Sequence, residues 1–88
     1  MTAQKKSLWF VYIVRCADNT LYTGCTNDLE HRLLAHNSDK GAQYTKGRGP
    51  VELVYTEAVS SRSEAQAREY QMKRLSRKQK LQLVRQEV

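Results

Sequence analysis

An 88-residue chain has room for one hydrophobic core and no second folding unit, and 40% hydrophobic with 27% charged residues is the balance of a globular domain, not a disordered one. Its longest apolar run, residues 8–14, falls far short of the roughly 20 residues that a bilayer demands, which speaks against a membrane protein. Fifteen Lys and Arg against nine Asp and Glu leave a net charge of +6, the footprint of a polyanion binder, although charge alone describes a merely basic soluble protein equally well.

In chain order, residues 1–7 are polar and expected to form a disordered N-terminus, with residues 8–88 as a single domain. Lys5 and Lys6 ahead of the apolar run imitate a signal peptide. Trp9 and Tyr12 within the run, and the missing small-residue cleavage site, instead make it a strand and point to a cytoplasmic protein. Residues 8–16 are rich in aromatic and β-branched side chains and do not alternate with polar ones, the pattern of a central strand covered on both faces by helices. Ala17-Asp18-Asn19-Thr20 is turn chemistry, so residues 21–25 return as the second strand of a hairpin. Two cysteines, Cys16 and Cys25, make neither a disulfide framework nor a metal site and read as small, half-buried sheet residues.

Asn27 followed by Glu30 reads as a capping box that opens a helix over residues 28–37. Residues 38–49 then form a long, glycine-rich loop carrying Lys40, Lys46 and Arg48, and loops of that length are usually functional. A third strand is expected over residues 51–55. Ser61 with Glu64 opens a second helix to about residue 75, and Ser76 with Gln79 a short terminal one. The order β-β-α-β-α-α implies an α+β fold, a small three-stranded antiparallel sheet flanked by helices.

Five positions stand out as candidates for chemistry. Arg32 and His36, one helical turn apart, fall on or beside the buried stripe marked by Leu29 and Leu33, where they are either site residues or a rim arginine and a satisfied core histidine. Glu64 is explained by its capping box, but Glu69 lies on the flank of the inner side of its helix. An inward carboxylate wants a cation, which here is Arg32, a metal, or Lys73 at the favourable spacing of four. Tyr12 and Tyr22, with Gly24 two residues on, are amphipathic strand residues that spacing alone leaves open between core and site.

Taken together, Phe10-Val11-Tyr12, Tyr22-Thr23-Gly24, Arg32 with His36, and Glu69 resemble the GIY-YIG nuclease superfamily, and in particular its small stand-alone bacterial YhbQ-like members. The likeness continues through residues 41–50 and 62–70 and covers residues 9 to about 84. It departs at Phe10 and Val11, where the motif has glycine and isoleucine, and at Thr23, where it has isoleucine; both tyrosines and Gly24 are kept. The resemblance implies a nuclease that hydrolyses phosphodiester bonds of DNA, structured or single-stranded, in repair or recombination. It implies that Glu69 holds one divalent metal, Mg or Mn, that Tyr12 or Tyr22 is the general base, that Arg32 clamps the phosphoryl oxygens and that His36 orients water or phosphate. A free tyrosine, with a pKa of about 10, needs a cation beside it to serve as a base.

Nucleic-acid contacts are expected from Lys40, Lys46 and Arg48 in the long loop and from Lys73, Arg74, Arg77, Lys78 and Lys80, which describe a solvated helical surface equally well. No base-reading module is visible, so binding should follow backbone and shape with a strong salt dependence. The lack of a targeting domain leaves room for a protein partner that brings the substrate. Two other readings stand beside the nuclease: a nucleic-acid-binding module of the same fold with little activity, and a protein whose basic surface meets an acidic one. The resemblance also makes a geometric demand. Both tyrosines must face one side of the hairpin, but a two-residue turn at Asp18-Asn19 would pair Tyr22 with Arg15 and turn Tyr12 to the opposite face. An odd-length loop or a bulge is therefore expected between the strands.

Overall fold

A computed structural model describes residues 8–37 and 50–86. The expected disordered N-terminus, residues 1–7, lies outside the described residues. The elements are β1 (Trp9–Arg15), β2 (Leu21–Thr26), α1 (Leu29–Asn37), β3 (Glu52–Val59), α2 (Arg62–Lys73) and α3 (Arg77–Gln86). The three strands form an antiparallel sheet in the order β2-β1-β3, which is the expected α+β arrangement.

The unalternating apolar run lies at the centre because it has two faces to cover. Val11, Tyr12, Ile13 and Val14 are each 0% exposed. Val11 and Ile13 pack with Ala65 and Met72 of α2, joined by Leu75, Leu83 and Val59. Tyr12, Val14 and Cys16 pack on the other face with Val51, Leu29, Leu33 and Tyr22. No helix among the described residues is long and apolar enough to cross a membrane.

The hairpin loop is odd. Cys16 N–H donates to Thr20 O and Asn19 N–H to Cys16 O, both at 2.8 Å, which closes a loop of Ala17, Asp18 and Asn19. Asn19 takes the left-handed conformation at φ 72°, one of the few non-glycine residues that does so at low cost, and Asp18 Oδ1 accepts from the Thr20 amide and hydroxyl. The register therefore pairs Val14 with Tyr22 and Tyr12 with Gly24, and the two tyrosines share a face. On the other side of β1 the pairing slips between Ile13 and Val14, leaving Val54 as a bulge, and Val54 and Tyr55 both join the α2–α3 core.

Several boundaries differ from expectation for local reasons. Thr26 Oγ1 accepts the Asp28 amide and Asp28 Oδ1 accepts the His31 amide, so Asp28 caps α1 in place of Asn27. Strand β3 continues past residue 55 to Val59, because the start of β1 needs a ladder partner: Trp9 pairs with Val59 and Val11 with Glu57. Glu57 is further held by Arg68 of α2 through two 2.9 Å contacts, which pin that helix to the sheet. Ser61 caps α2 as expected, while Glu64 reaches back to Ser60 and not to Ser61. The Ser76–Gln79 box forms reciprocally at the start of α3.

Candidate active site

The site is organised around the hydroxyl of Tyr12. Because Tyr12 stands on the central strand directly opposite Gly24, the end of its ring lies over that glycine. A Cβ at position 24 would fall 2.6 Å from Tyr12 Oη and 2.8 Å from Cζ, closer than packed atoms approach, so only glycine leaves the phenol where it is. From α1, Arg32 Nε donates to Tyr12 Oη at 3.3 Å and His36 Nε2 lies 2.9 Å from the same oxygen. Tyr22 completes the group: its ring stands edge-on to His36 with centroids 5.4 Å apart, and its hydroxyl shares the Arg32 guanidinium.

Proton accounting gives a self-consistent direction for these bonds. Arg32 can only donate, so the single Tyr12 proton is free to point at His36 Nε2. That requires a neutral imidazole with its own proton on Nδ1, an assignment that follows from the hydrogen-bond network. Burial, and then the Arg32 charge, hold His36 below the ordinary histidine value, which keeps the ring neutral. Burial pushes the Tyr12 phenol above its ordinary value, and the Arg32 guanidinium opposes that rise.

Glu69 approaches from the other side. Helix α2 packs on the opposite face of the sheet, and β2 is the edge strand between them. Cys25 Sγ of β2 donates to Glu69 Oε1 at 3.1 Å, and Lys73 Nζ pairs with Oε2 at 2.9 Å. Burial, reinforced by the neighbouring Glu69, pushes the Cys25 thiol up to about 11, so the sulfur keeps its proton and acts as a donor. Lys73 is raised by its bond to Glu69, and its ammonium also sits 5.8 Å from the centre of the Tyr22 ring. The structure thus brings Tyr12, Tyr22, Arg32 and His36 into direct contact, places Glu69 round the sheet edge, and joins the two groups through Lys73.

The donor set limits which metal could bind. Among the described residues no group of three or more His, Cys, Asp and Glu side chains is arranged to hold an ion, so a cage of protein ligands is not formed. A hard divalent ion that keeps most of its water and takes its other oxygens from a substrate phosphate needs only one carboxylate, and Glu69 is of that type. It opens onto a cleft of about 220 Å³ lined by Gln66, Glu69, Tyr70 and Lys73.

The expected nucleic-acid contacts separate. Lys40, Lys46 and Arg48 lie outside the described residues. Lys73 is committed to Glu69, Arg74 lies over the exposed Tyr70 ring at 5.7 Å, and Arg77 and Lys78 are exposed on the first turn of α3. Cys25 is the partner that sequence reading missed. Strand parity places it on the α2 face, but nothing in the sequence signals a thiol bonded to Glu69.

Residues 8–82 match the family described as the GIY-YIG catalytic domain. The chain is 59% identical over 75 residues to the UPF0213 protein CPE1444 of Clostridium perfringens, covering 85% of this chain and 81% of that protein. It is 57% identical over 75 residues to the UPF0213 protein SH2523 of Staphylococcus haemolyticus, covering 85% and 92%. Among solved structures, it is similar to the solution structure of the UPF0213 protein BH0048 from Bacillus halodurans, at 51% identity and a TM-score of 0.56, covering 88% of this chain and 82% of that one. The protein EF2693 from E. faecalis matches at 40% identity and a TM-score of 0.63, covering 92% and 86%.

Proposed function

The chain belongs to the GIY-YIG catalytic-domain family, a family of nucleases, and on that premise we propose that it is a metal-dependent nuclease hydrolysing phosphodiester bonds of DNA. The observation that carries this reading is the Tyr12 hydroxyl held between Arg32 Nε and His36 Nε2, with Tyr22 against the same two residues. A module that only binds nucleic acid gains nothing from burying a histidine and a tyrosine against an arginine, because buried titratable groups lower stability unless every polar atom is met.

Tyr12 has no exposed surface and Tyr22 is half-buried. We therefore assign Tyr22 to the attacking water and Tyr12 to holding Arg32 and His36 in place. Arg32, reaching both hydroxyls, stabilises negative charge on a phenolate and on the phosphoryl oxygens, a task suited to a planar five-donor fork. His36 is a neutral acceptor that keeps the Tyr12 proton out of the way of Arg32. A single Mg²⁺ or Mn²⁺ bound by Glu69 would supply positive charge at the phosphoryl group and its leaving oxygen. Cys25 and Lys73 orient the Glu69 carboxylate from either side. Recognition runs through the phosphate backbone, which suits branched, nicked or single-stranded DNA in repair or recombination. Two free cysteines suit the reducing cytoplasm.

The test is cleavage of a panel of labelled DNAs with Mg²⁺ or Mn²⁺ by the wild type, Glu69→Ala and Arg32→Ala. Metal-dependent cutting that both substitutions abolish supports the reading. Binding by all three proteins with no cutting makes the chain a nucleic-acid-binding module, and cutting that survives both substitutions removes these residues from the site.

A further inference from the structure

A second cleft, of about 260 Å³, opens between the hairpin and the α2–α3 turn, lined by Thr20, Leu21, Leu75, Arg77 and Lys80. Its apolar wall is Leu21 and Leu75; its polar wall is cationic. Among the described residues neither the Arg77 guanidinium nor the Lys80 ammonium has a carboxylate or other acceptor. Lys80 is half-buried, and the charged neighbour that acts on it is Lys73, another cation; burial and that repulsion together hold its ammonium below the ordinary lysine value. Desolvated positive charge without an internal partner destabilises a fold, and an anion from outside relieves it. Helix α3 adds to the field, since its first turn carries Arg77 and Lys78 and no acid.

The cleft also borders the catalytic residues. Leu21 precedes Tyr22 in β2, and Lys73 lies within electrostatic reach of Lys80 on one side and in contact with Glu69 on the other. Arg77, Lys80 and Lys73 thus form a row of cations leading to Glu69. We propose that this cleft is a phosphate subsite, in which Arg77 and Lys80 hold a backbone phosphodiester of the strand whose scissile phosphate lies at Glu69. The identity of that strand rests on the nuclease reading; the anion chemistry of the cleft does not. Arg77 offers its fork to two phosphate oxygens and Lys80 a point charge, while Leu21 and Leu75 pack against the sugar.

The experiment is an amide-shift NMR titration of the labelled protein with inorganic phosphate and, separately, with a short DNA oligonucleotide, alongside DNA affinity as a function of salt. It compares the wild type with the Arg77→Gln/Lys80→Gln double variant and with Lys78→Gln, which removes a charge outside the cleft. The oligonucleotide is expected to move the amides of Leu21, Leu75, Arg77 and Lys80. The double variant should lose those shifts, bind DNA roughly tenfold more weakly and show a salt slope smaller by about one, with Lys78→Gln much less affected. Equal losses in the double variant and Lys78→Gln would mean a diffuse basic surface and overturn the subsite. Shifts as large with inorganic phosphate as with DNA at equal phosphate concentration would make it a site for free oxyanions and overturn the strand assignment. Unmoved cleft amides while the wild type still binds and cuts DNA would sink the subsite and leave the nuclease standing; no DNA binding by the wild type at all would sink both.

Discussion

The two faces of the sheet are built on different principles. The α2–α3 face is an apolar core in which Val11, Ile13, Ala65 and Met72 are fully buried among aliphatic and aromatic neighbours. On the α1 face, the buried residue that the helix itself contributes is His36, Leu34 is 64% exposed, and Arg32 and His36 meet a tyrosine where the other face has methyl groups. Both faces bury apolar side chains, but the α1 face gives part of its packing to titratable groups held in fixed positions. The candidate site does not lie wholly on either, because Glu69 comes from the α2–α3 face and meets the α1 group round β2.

The sharpest way to break this comparison is to truncate one residue on each face. Arg32→Ala is expected to reduce cleavage by about 10²–10⁴-fold with a small effect on unfolding, since Arg32 is only partly buried. Met72→Ala should lower stability by about 2–5 kcal/mol in a denaturant titration and leave the rate per folded molecule near that of the wild type. Loss of activity from both in equal measure would mean the faces are not separable.

Gly24→Ala tests the contact between strand and site. Its Cβ collides with Tyr12, and strain of about 1–3 kcal/mol is expected. Displacing the Tyr12 hydroxyl should also shift the His36 ring resonances in NMR; an unshifted ring with full activity would show that Tyr12 does not hold the network.

Between neutral and mildly acid pH the change in stability should come from the α1 face, while Glu57 beside Arg68 on the α2 face, held below the ordinary carboxylate value, adds its own loss only in more acid solution. His36 has a folded-state value below its ordinary 6.5, so as pH falls the unfolded chain takes up a proton before the folded one does. Its contribution is fully present above about 6.5 and is lost as pH falls through the folded-state value. Unfolding midpoints followed from neutral to mildly acid pH should fall more steeply for the wild type than for His36→Gln; parallel curves would mean the ring is not held neutral.

The smallest effect concerns a departure from the family motif. Thr23 is 2% exposed on the α2 face, and its hydroxyl has no hydrogen-bond partner among the described residues. Thr23→Val keeps the shape and removes that polar atom, and is expected to raise stability by about 1 kcal/mol without changing cleavage. A destabilised variant would show that the hydroxyl is satisfied by water.

Much of this was legible in the sequence because it depends on short-range chemistry. The unbroken apolar run of β1 marks a strand covered twice, and Ser76 with Gln79 closes its capping box as written. The requirement that Tyr12 and Tyr22 share a face was enough to demand an odd loop, which Asn19 makes possible. The side from which Glu69 arrives was not legible. A helical wheel places Glu69 on the flank of α2 but does not say which face of the sheet α2 covers, so its contacts with Cys25 and Lys73 follow from topology alone. The α1 cap shifted by one residue because Asn27 and Asp28 are both competent caps and Thr26 decides between them.

The central claim is that Tyr22 on one face and Glu69 from the other act as one site across the edge of β2. Single-turnover cleavage by Tyr22→Phe, Glu69→Gln and the double variant tests it directly. If they act together, the double variant should be little worse than the weaker single one, because residues that work as a unit are not additive. Losses that multiply in the double variant would mean two independent contributions and would contradict a shared site.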